Sequence, residues 1–185
     1  METKKYSAIQ DQNLIVMGEL PVVLKEIKLF LDQGGFEPVL IFDHTDGRQW
    51  DFNFQGTLEE VLSRAIVPED ENCNKPGPGR PRLGIVSREV TLLPRHWDWL
   101  EQQPGKASGT LRRLVEDAMK HPSDDFIIRQ KQEALGRIIS SVGGNLIGFE
   151  DFLRILHRKE WNKVEEVIKE WPLGIKKIIT TILNE

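Results

Sequence analysis

Two hydrophobic periods divide the chain. Near the amino end, apolar residues fall in short strand-length runs. Tyr6–Gln10 and Leu14–Met17 flank the turn Asp11-Gln12-Asn13, and Val39–Asp43 and Gln49–Phe54 flank Asp46-Gly47. An Asp-Gly pair between two such runs signals a two-residue hairpin. Between the pairs, Pro21 opens a helix with Val23, Ile27, Phe30 and Leu31 at helical spacing, and Gly34-Gly35 close it. Thr57 and Glu60 have the spacing of a capping box for a further helix ending near Val67. The predicted order over residues 1–68 is ββαββα, a small α/β unit.

From residue 122 onward the period is helical. Ala134, Leu135, Ile138, Ile139 and Val142 form one stripe before Gly143-Gly144, and Phe149, Phe152, Leu153 and Leu156 form a second. Trp161, Val164, Val167, Ile168 and Trp171 form a third, and Pro172 introduces Ile175, Ile178, Ile179 and Ile182. These stripes predict a helical hairpin or bundle over 122–185. Residues 69–82 read as a linker, because the prolines and glycines of Lys75–Arg82 forbid helix and disfavour a ladder.

Residues 83–121 follow neither scheme. In Arg88–Leu92 the side chains alternate, with Val90 and Leu92 on one face and Glu89 and Thr91 on the other. Pro94 ends the strand and begins a helix on which His96, Trp97 and Leu100 face together, and Pro104-Gly105 stop it. Ser108 is the natural N-cap of a second helix with the stripe Leu111, Leu114, Val115, Ala118, Met119. One strand and two short helices cannot shelter their apolar faces alone. A second copy would cover them and close both strand edges, with Val90, Leu92, Trp97, Leu100, Leu111, Leu114 and Val115 as the shared core. The expected fold class is therefore α+β: a ββαββα unit, a central strand-helix-helix dimer module and a carboxy-terminal helical domain.

Charge sharpens this picture. The chain of 185 residues carries a net charge of −4. Residues 1–74 hold six Lys/Arg against fourteen Asp/Glu, whereas residues 75–120 hold nine against five. The basic block coincides with the strand-helix-helix pattern. Attraction to phosphate acts within a Debye length of about 8–10 Å, so a local block can matter in an acidic chain.

The run VTLLPRHWDWLEQQPGKASGTLRRLVEDAM resembles the ribbon-helix-helix superfamily of bacterial repressors and antitoxins: a V-T-L strand, a Pro, an aromatic-rich helix, Gly, and a Ser before LRRLVEDA. The resemblance implies that outward strand residues touch base edges in the major groove and that the second helix holds a phosphate at its amino end. On this chain the groove-facing pair would be Glu89 and Thr91, with Arg88 at the strand entrance. Ser108 and the amides of Gly109 and Thr110 would sit at phosphate, and Arg95, Lys106, Arg112 and Arg113 would add backbone contacts. Pro78-Gly79-Arg80-Pro81-Arg82 resembles the core of an AT-hook, which lays Arg into a narrow minor groove; Arg80 and Arg82 join the set on that basis. The strings GRPRLGIVSREVTLLPRHWDWL, ASGTLRRLV and FDHTDGRQWDF make the whole chain similar to an uncharacterised bacterial family.

The functional expectation is a homodimeric DNA-binding protein, a bacterial transcriptional regulator, with the acidic amino-terminal unit free to bind a protein partner. The alternative is a dimeric scaffold in which the module only pairs. Glu89 favours that alternative, because it repels phosphate and can accept only from a donor such as the cytosine amino group. Trp97 and Trp99, roughly 200° apart on a helix, cannot both face one core. No nucleophile elbow, phosphate loop or dinucleotide fingerprint occurs, so no enzyme and no cofactor are expected, the remaining alternative being a small-ligand or enzyme pocket between the amino- and carboxy-terminal segments. His44, His96, His121 and His157 lack metal-site spacing, with His96 at the edge of the helix core and the others at the surface. Asp43, Asp46 and Asp51 read as turn chemistry, and the single Cys73 as an ordinary thiol in a cytoplasmic protein with no membrane span.

Overall fold

The computed structural model describes residues 4–36, 38–65 and 88–184. The expected linker 69–82, Cys73, Arg80 and Arg82 therefore lie outside the described residues. The protein is α+β, with eight α-helices and one four-stranded antiparallel sheet among the described residues. It divides into two compact units, one made of the segments before residue 68 and after residue 124, the other of residues 68–124.

In the first unit the order is β1 (Tyr6–Gln10), β2 (Asn13–Gly18), α1 (Leu20–Asp32), β3 (Leu40–Asp43), β4 (Gln49–Trp50) and α2 (Leu58–Ala65). The sheet runs β2-β1-β3-β4. Ala8 faces Val16 while Ile9 faces Leu14, so Ile15 is the extra residue of a bulge. Pro sits in the first turn of α1, where its missing N–H costs no helix bond. The capping box of α2 forms as its spacing predicts: the Thr57 amide donates to Glu60 Oε2 at 2.8 Å, and the Glu60 amide to Thr57 Oγ1 at 3.3 Å.

Both faces of this sheet are buried. Tyr6, Ala8 and Ile41 point to one side and pack with Val23, Leu24 and Ile27 of α1. Ile9 and Phe42 point to the other, into a core built from α5 (Asp124–Val142), α6 (Phe149–Arg158), α7 (Val164–Val167, after a 3₁₀ turn at Trp161–Lys163) and α8 (Leu173–Asn184). The segments divided along the sequence at 68 and 122 thus share one core. Two glycines permit the approach. Gly47, at φ +70°, lies so close to α5 that a Cβ would stand 2.4 Å from the Ala134 carbonyl oxygen. A Cβ on Gly174 of α8 would stand 2.6 Å from the Cβ of Leu14 and 2.8 Å from its amide nitrogen. Arg137 on α5 donates to the Asp46 carbonyl at 2.6 Å, tying the same turn to the helix. The loop before α6 is held by Trp171 Nε1, which donates to the Ile147 carbonyl at 2.7 Å.

Three expectations need correction in this unit. The turn after β3 is longer than a two-residue hairpin: Gly47 donates to the Asp43 carbonyl at 2.8 Å and Asp43 to the Arg48 carbonyl at 3.0 Å. Side-chain turns stabilise the wider loop, Asp43 Oδ1 accepting from the Thr45 amide (2.7 Å) and Asp46 Oδ1 from the Arg48 amide (2.9 Å). β4 stops at Trp50 and not at Phe54: its ladder pairs Phe42 with Gln49 and Ile41 with Trp50 and goes no further among the described residues. His44, expected at the surface, is only 4% exposed. The wide turn carries its ring beneath β1, where Nε2 lies 2.5 Å from Ser7 Oγ.

Candidate nucleic-acid interface

In the second unit, residues 88–93 carry no strand; nothing in the unit offers this stretch a ladder partner among the described residues. Leu93 has extended angles (φ −67°, ψ 150°) and hands over to Pro94, the first residue of α3 (Pro94–Glu101). The fixed proline angle suits that position. α3 turns into α4 (Lys106–Lys120) through Gln103, whose amide donates to the Leu100 carbonyl at 3.1 Å and whose carbonyl accepts from Lys106 at 2.9 Å. Leu100 and Thr110 are the residues buried within this pair, at 3% and 2% exposure.

The second helix starts earlier than its sequence suggests. Gly105, not Ser108, is the N-cap residue, and the Gly109 amide donates to the Gly105 carbonyl at 3.1 Å. Ser108 therefore lies inside the first turn. Its carbonyl and Oγ accept from Arg112 at 3.3 and 3.1 Å. The Gly109 amide is spent within the helix and is not offered to a phosphate.

The residues expected in a shared core are mostly uncovered in the single chain. Val90 is 58% exposed, Trp97 39%, Leu114 43% and Val115 56%, while Leu92 and Leu111 are half-buried. Trp99 and Met119 are exposed as well. Glu89 and Thr91 are exposed beside Val90, so the alternation of 88–92 does not yet separate an inner from an outer face. His96 is also exposed, not at the edge of a covered core.

Arg88, Arg95, Lys106, Arg112 and Arg113 are all exposed. None forms an ion pair among the described residues; the recorded pairs, such as Lys28–Asp32, Arg137–Glu133 and Lys163–Glu160, all lie in the other unit. No group of three His, Cys, Asp or Glu side chains is placed to hold a metal, and no helix is long and apolar enough to cross a membrane, among the described residues. Sequence reasoning missed the Ser7–His44 contact and a cleft beside Trp50, Phe52 and Phe54. The alternation of 49–55 was the available signal for the cleft.

The fold defines an α+β protein of two compact units, one a sheet covered on both faces and the other a helix pair with no strand among the described residues. Over residues 5–183 the chain matches a family described as "Uncharacterized protein conserved in bacteria" (DUF2239), and it belongs to that family. No curated protein and no solved structure matches it.

Proposed function

We propose that residues 83–121 pair two copies of the chain in the manner of a ribbon-helix-helix module, and that the resulting dimer binds DNA. The observation that carries the reading is the coincidence, on one short unit, of exposed large apolar side chains with five cations that have no carboxylate partner among the described residues. Val90, Trp97, Leu114 and Val115 gain cover only from another molecule or segment, and apolar surface of this kind marks interaction sites. Pairing of 88–92 with its own copy gives that stretch the ladder it lacks and turns Val90 and Leu92 inward, Glu89 and Thr91 outward. Arg88, Arg95, Lys106, Arg112 and Arg113 then supply affinity through phosphate, and Thr91 supplies base contact.

Electrophoretic retardation over a salt series tests this. If each protomer neutralises three phosphates, log affinity falls with log salt with a slope of roughly −5 for the dimer. The reading fails if no retardation occurs at low salt and a random-sequence selection enriches nothing.

The second reading, a module that only dimerises and leaves partner binding to the acidic amino-terminal segment, is favoured by Glu89 and by the Gly109 amide already bonded inside α4. Glu89→Arg separates the two. A DNA binder gains affinity or changes specificity, whereas a pure dimeriser shows neither and keeps its oligomeric state.

A further inference from the structure

The edge of the sheet carries a second feature, independent of how the helix pair functions. From Gln49 to Gln55 exposure alternates strictly: Gln49, Asp51, Asn53 and Gln55 are exposed, and Trp50, Phe52 and Phe54 are half-buried. The three aromatics pack on the core beneath α1, and the Trp50 and Phe52 rings stack at 6.3 Å between centroids with 16° between planes. This is the side-chain pattern of an edge strand with one apolar face. Its ladder stops after two residues, however, with Ile41 opposite Trp50 and Phe42 opposite Gln49. The backbone groups of Asp51, Phe52, Asn53 and Phe54 make no hydrogen bond among the described residues. A strand face is fixed by its side chains while its backbone stays open, the condition under which an edge templates a further strand.

Two adjoining clefts flank this stretch. One, of about 270 Å³, is lined by Pro38, Val39 and Trp50; the other, of about 590 Å³, by Lys28, Asp32 and Asn53; Leu31, Phe52 and Phe54 border both. Their charges are unequal. Lys28 Nζ lies 2.5 Å from Asp32 Oδ1, so that pair is neutral within itself. Asp51 receives only the neutral Gln49 amide at 3.2 Å and has no cation beside it among the described residues.

We propose that residues 51–54 bind an extended peptide segment of a partner protein by strand addition. The four residues span about 13 Å, which sets the bound segment at four to six residues. Its alternate β-branched or aliphatic side chains face the clefts beside Phe52 and Phe54, and a Lys or Arg lies on the opposite face, next to Asp51. A second copy of this edge is a poorer occupant, because it would bring two Asp51 carboxylates onto one short ribbon, where like charges are destabilising.

The test uses the full chain and the hexapeptide acetyl-Thr-Val-Arg-Val-Thr-Val-amide, followed by titration calorimetry and by amide exchange of residues 51–54. Saturable binding is expected, with slowed exchange at Asp51–Phe54. Replacing the peptide Arg by Glu should weaken binding about fivefold, the scale of one exposed ion pair. Methylating alternate peptide amides should abolish it, as should Asn53→Pro in the protein, where an unchanged thermal transition certifies the fold. The proposal is overturned if the methylated peptide binds as well as the parent, or if no binding is seen at millimolar peptide. It is equally overturned if Asn53→Pro lowers self-association of the protein alone, which would assign the edge to a second copy. None of these outcomes depends on whether residues 83–121 bind DNA.

Discussion

Replacing a helix glycine by alanine has a sign that depends on where the new methyl group lands, and two glycines of the sheet-and-helix unit should respond in opposite directions. Gly136 lies in the middle of α5, and a Cβ there would meet only Leu156 Cδ2 at 3.9 Å, an ordinary contact. Gly136→Ala therefore removes the entropic cost of glycine in a helix and should stabilise by about 0.5–1 kcal/mol. Gly174 is the second residue of α8, where the same methyl group would stand 2.6 Å from Leu14 Cβ and 2.8 Å from the Leu14 amide nitrogen. Neither atom is the end of a flexible side chain, so α8 or β2 must move. Overpacking of that kind costs about 1–3 kcal/mol, which exceeds the propensity gain and leaves a net loss of about 1–2 kcal/mol. For a chain of this size the transition should fall by about 2–8 °C in Gly174→Ala and rise by about 1–4 °C in Gly136→Ala. Thermal unfolding followed by far-ultraviolet circular dichroism reads both. If Gly174→Ala is as stabilising as Gly136→Ala, α8 does not lie against β2, and the account of a sheet buried on both faces is wrong.

Further expectations follow from single contacts. Thr57→Ala removes one half of the capping box of α2 and should lower stability by about 1 kcal/mol, read from the urea midpoint at constant m-value; no shift would mean that the box contributes nothing. Ser7→Ala strips the hydroxyl from His44 Nε2 inside the fold and should cost about 1–3 kcal/mol in the same assay; a neutral result would mean that water reaches the ring. The Lys163 ammonium, bonded to Glu160 Oε2 at 2.6 Å, holds the Glu160 carboxyl below the usual carboxylate range, with the Lys163 and Arg158 charges acting in the same sense. A depressed carboxylate stabilises above its unfolded pKa, and that contribution disappears as pH falls through the folded value. Carboxyl-carbon NMR should find Glu160 titrating below an ordinary glutamate and moving up in Lys163→Ala; identical midpoints in the two proteins would remove Lys163 as the cause.

What the sequence revealed was set by how local each signal is. The stripes Ala134–Val142 and Ile175–Ile182 are buried where their spacing puts them, because an amphipathic helix announces its inner face without reference to its partner. The Thr57–Glu60 box and Pro94 at a helix start are equally local. Partners are less legible. Nothing in the spacing of Leu135 or Ile179 says that they meet Ile9 and Phe42, although the runs Ala8-Ile9 and Leu40-Ile41-Phe42, apolar at successive positions, already mark strands buried on both sides. β4 stops at Trp50 although the alternation runs on to Gln55, because alternation reports which face of a segment is buried and not whether its backbone has a partner, and the Asp46-Gly47 turn widened because two aspartates bond to nearby amides. Ser108 lost the cap to Gly105, three residues earlier, when the Gly105 carbonyl captured the Gly109 amide. For residues 88–92 the alternation was legible, but a ladder needs a second strand, and the single chain supplies none among the described residues.

Sedimentation velocity of the full chain, alone and as Val115→Asp, is the most direct measurement of self-pairing through residues 83–121. Val115 is 56% exposed in the single chain, so a charge there leaves the protomer intact and would be buried only between two copies. The account predicts a species of twice the 21.3 kDa chain mass that collapses to the single-chain mass in the variant, with unchanged circular dichroism. A wild-type protein that sediments at 21.3 kDa at every concentration, or a dimer indifferent to Val115→Asp, would contradict it.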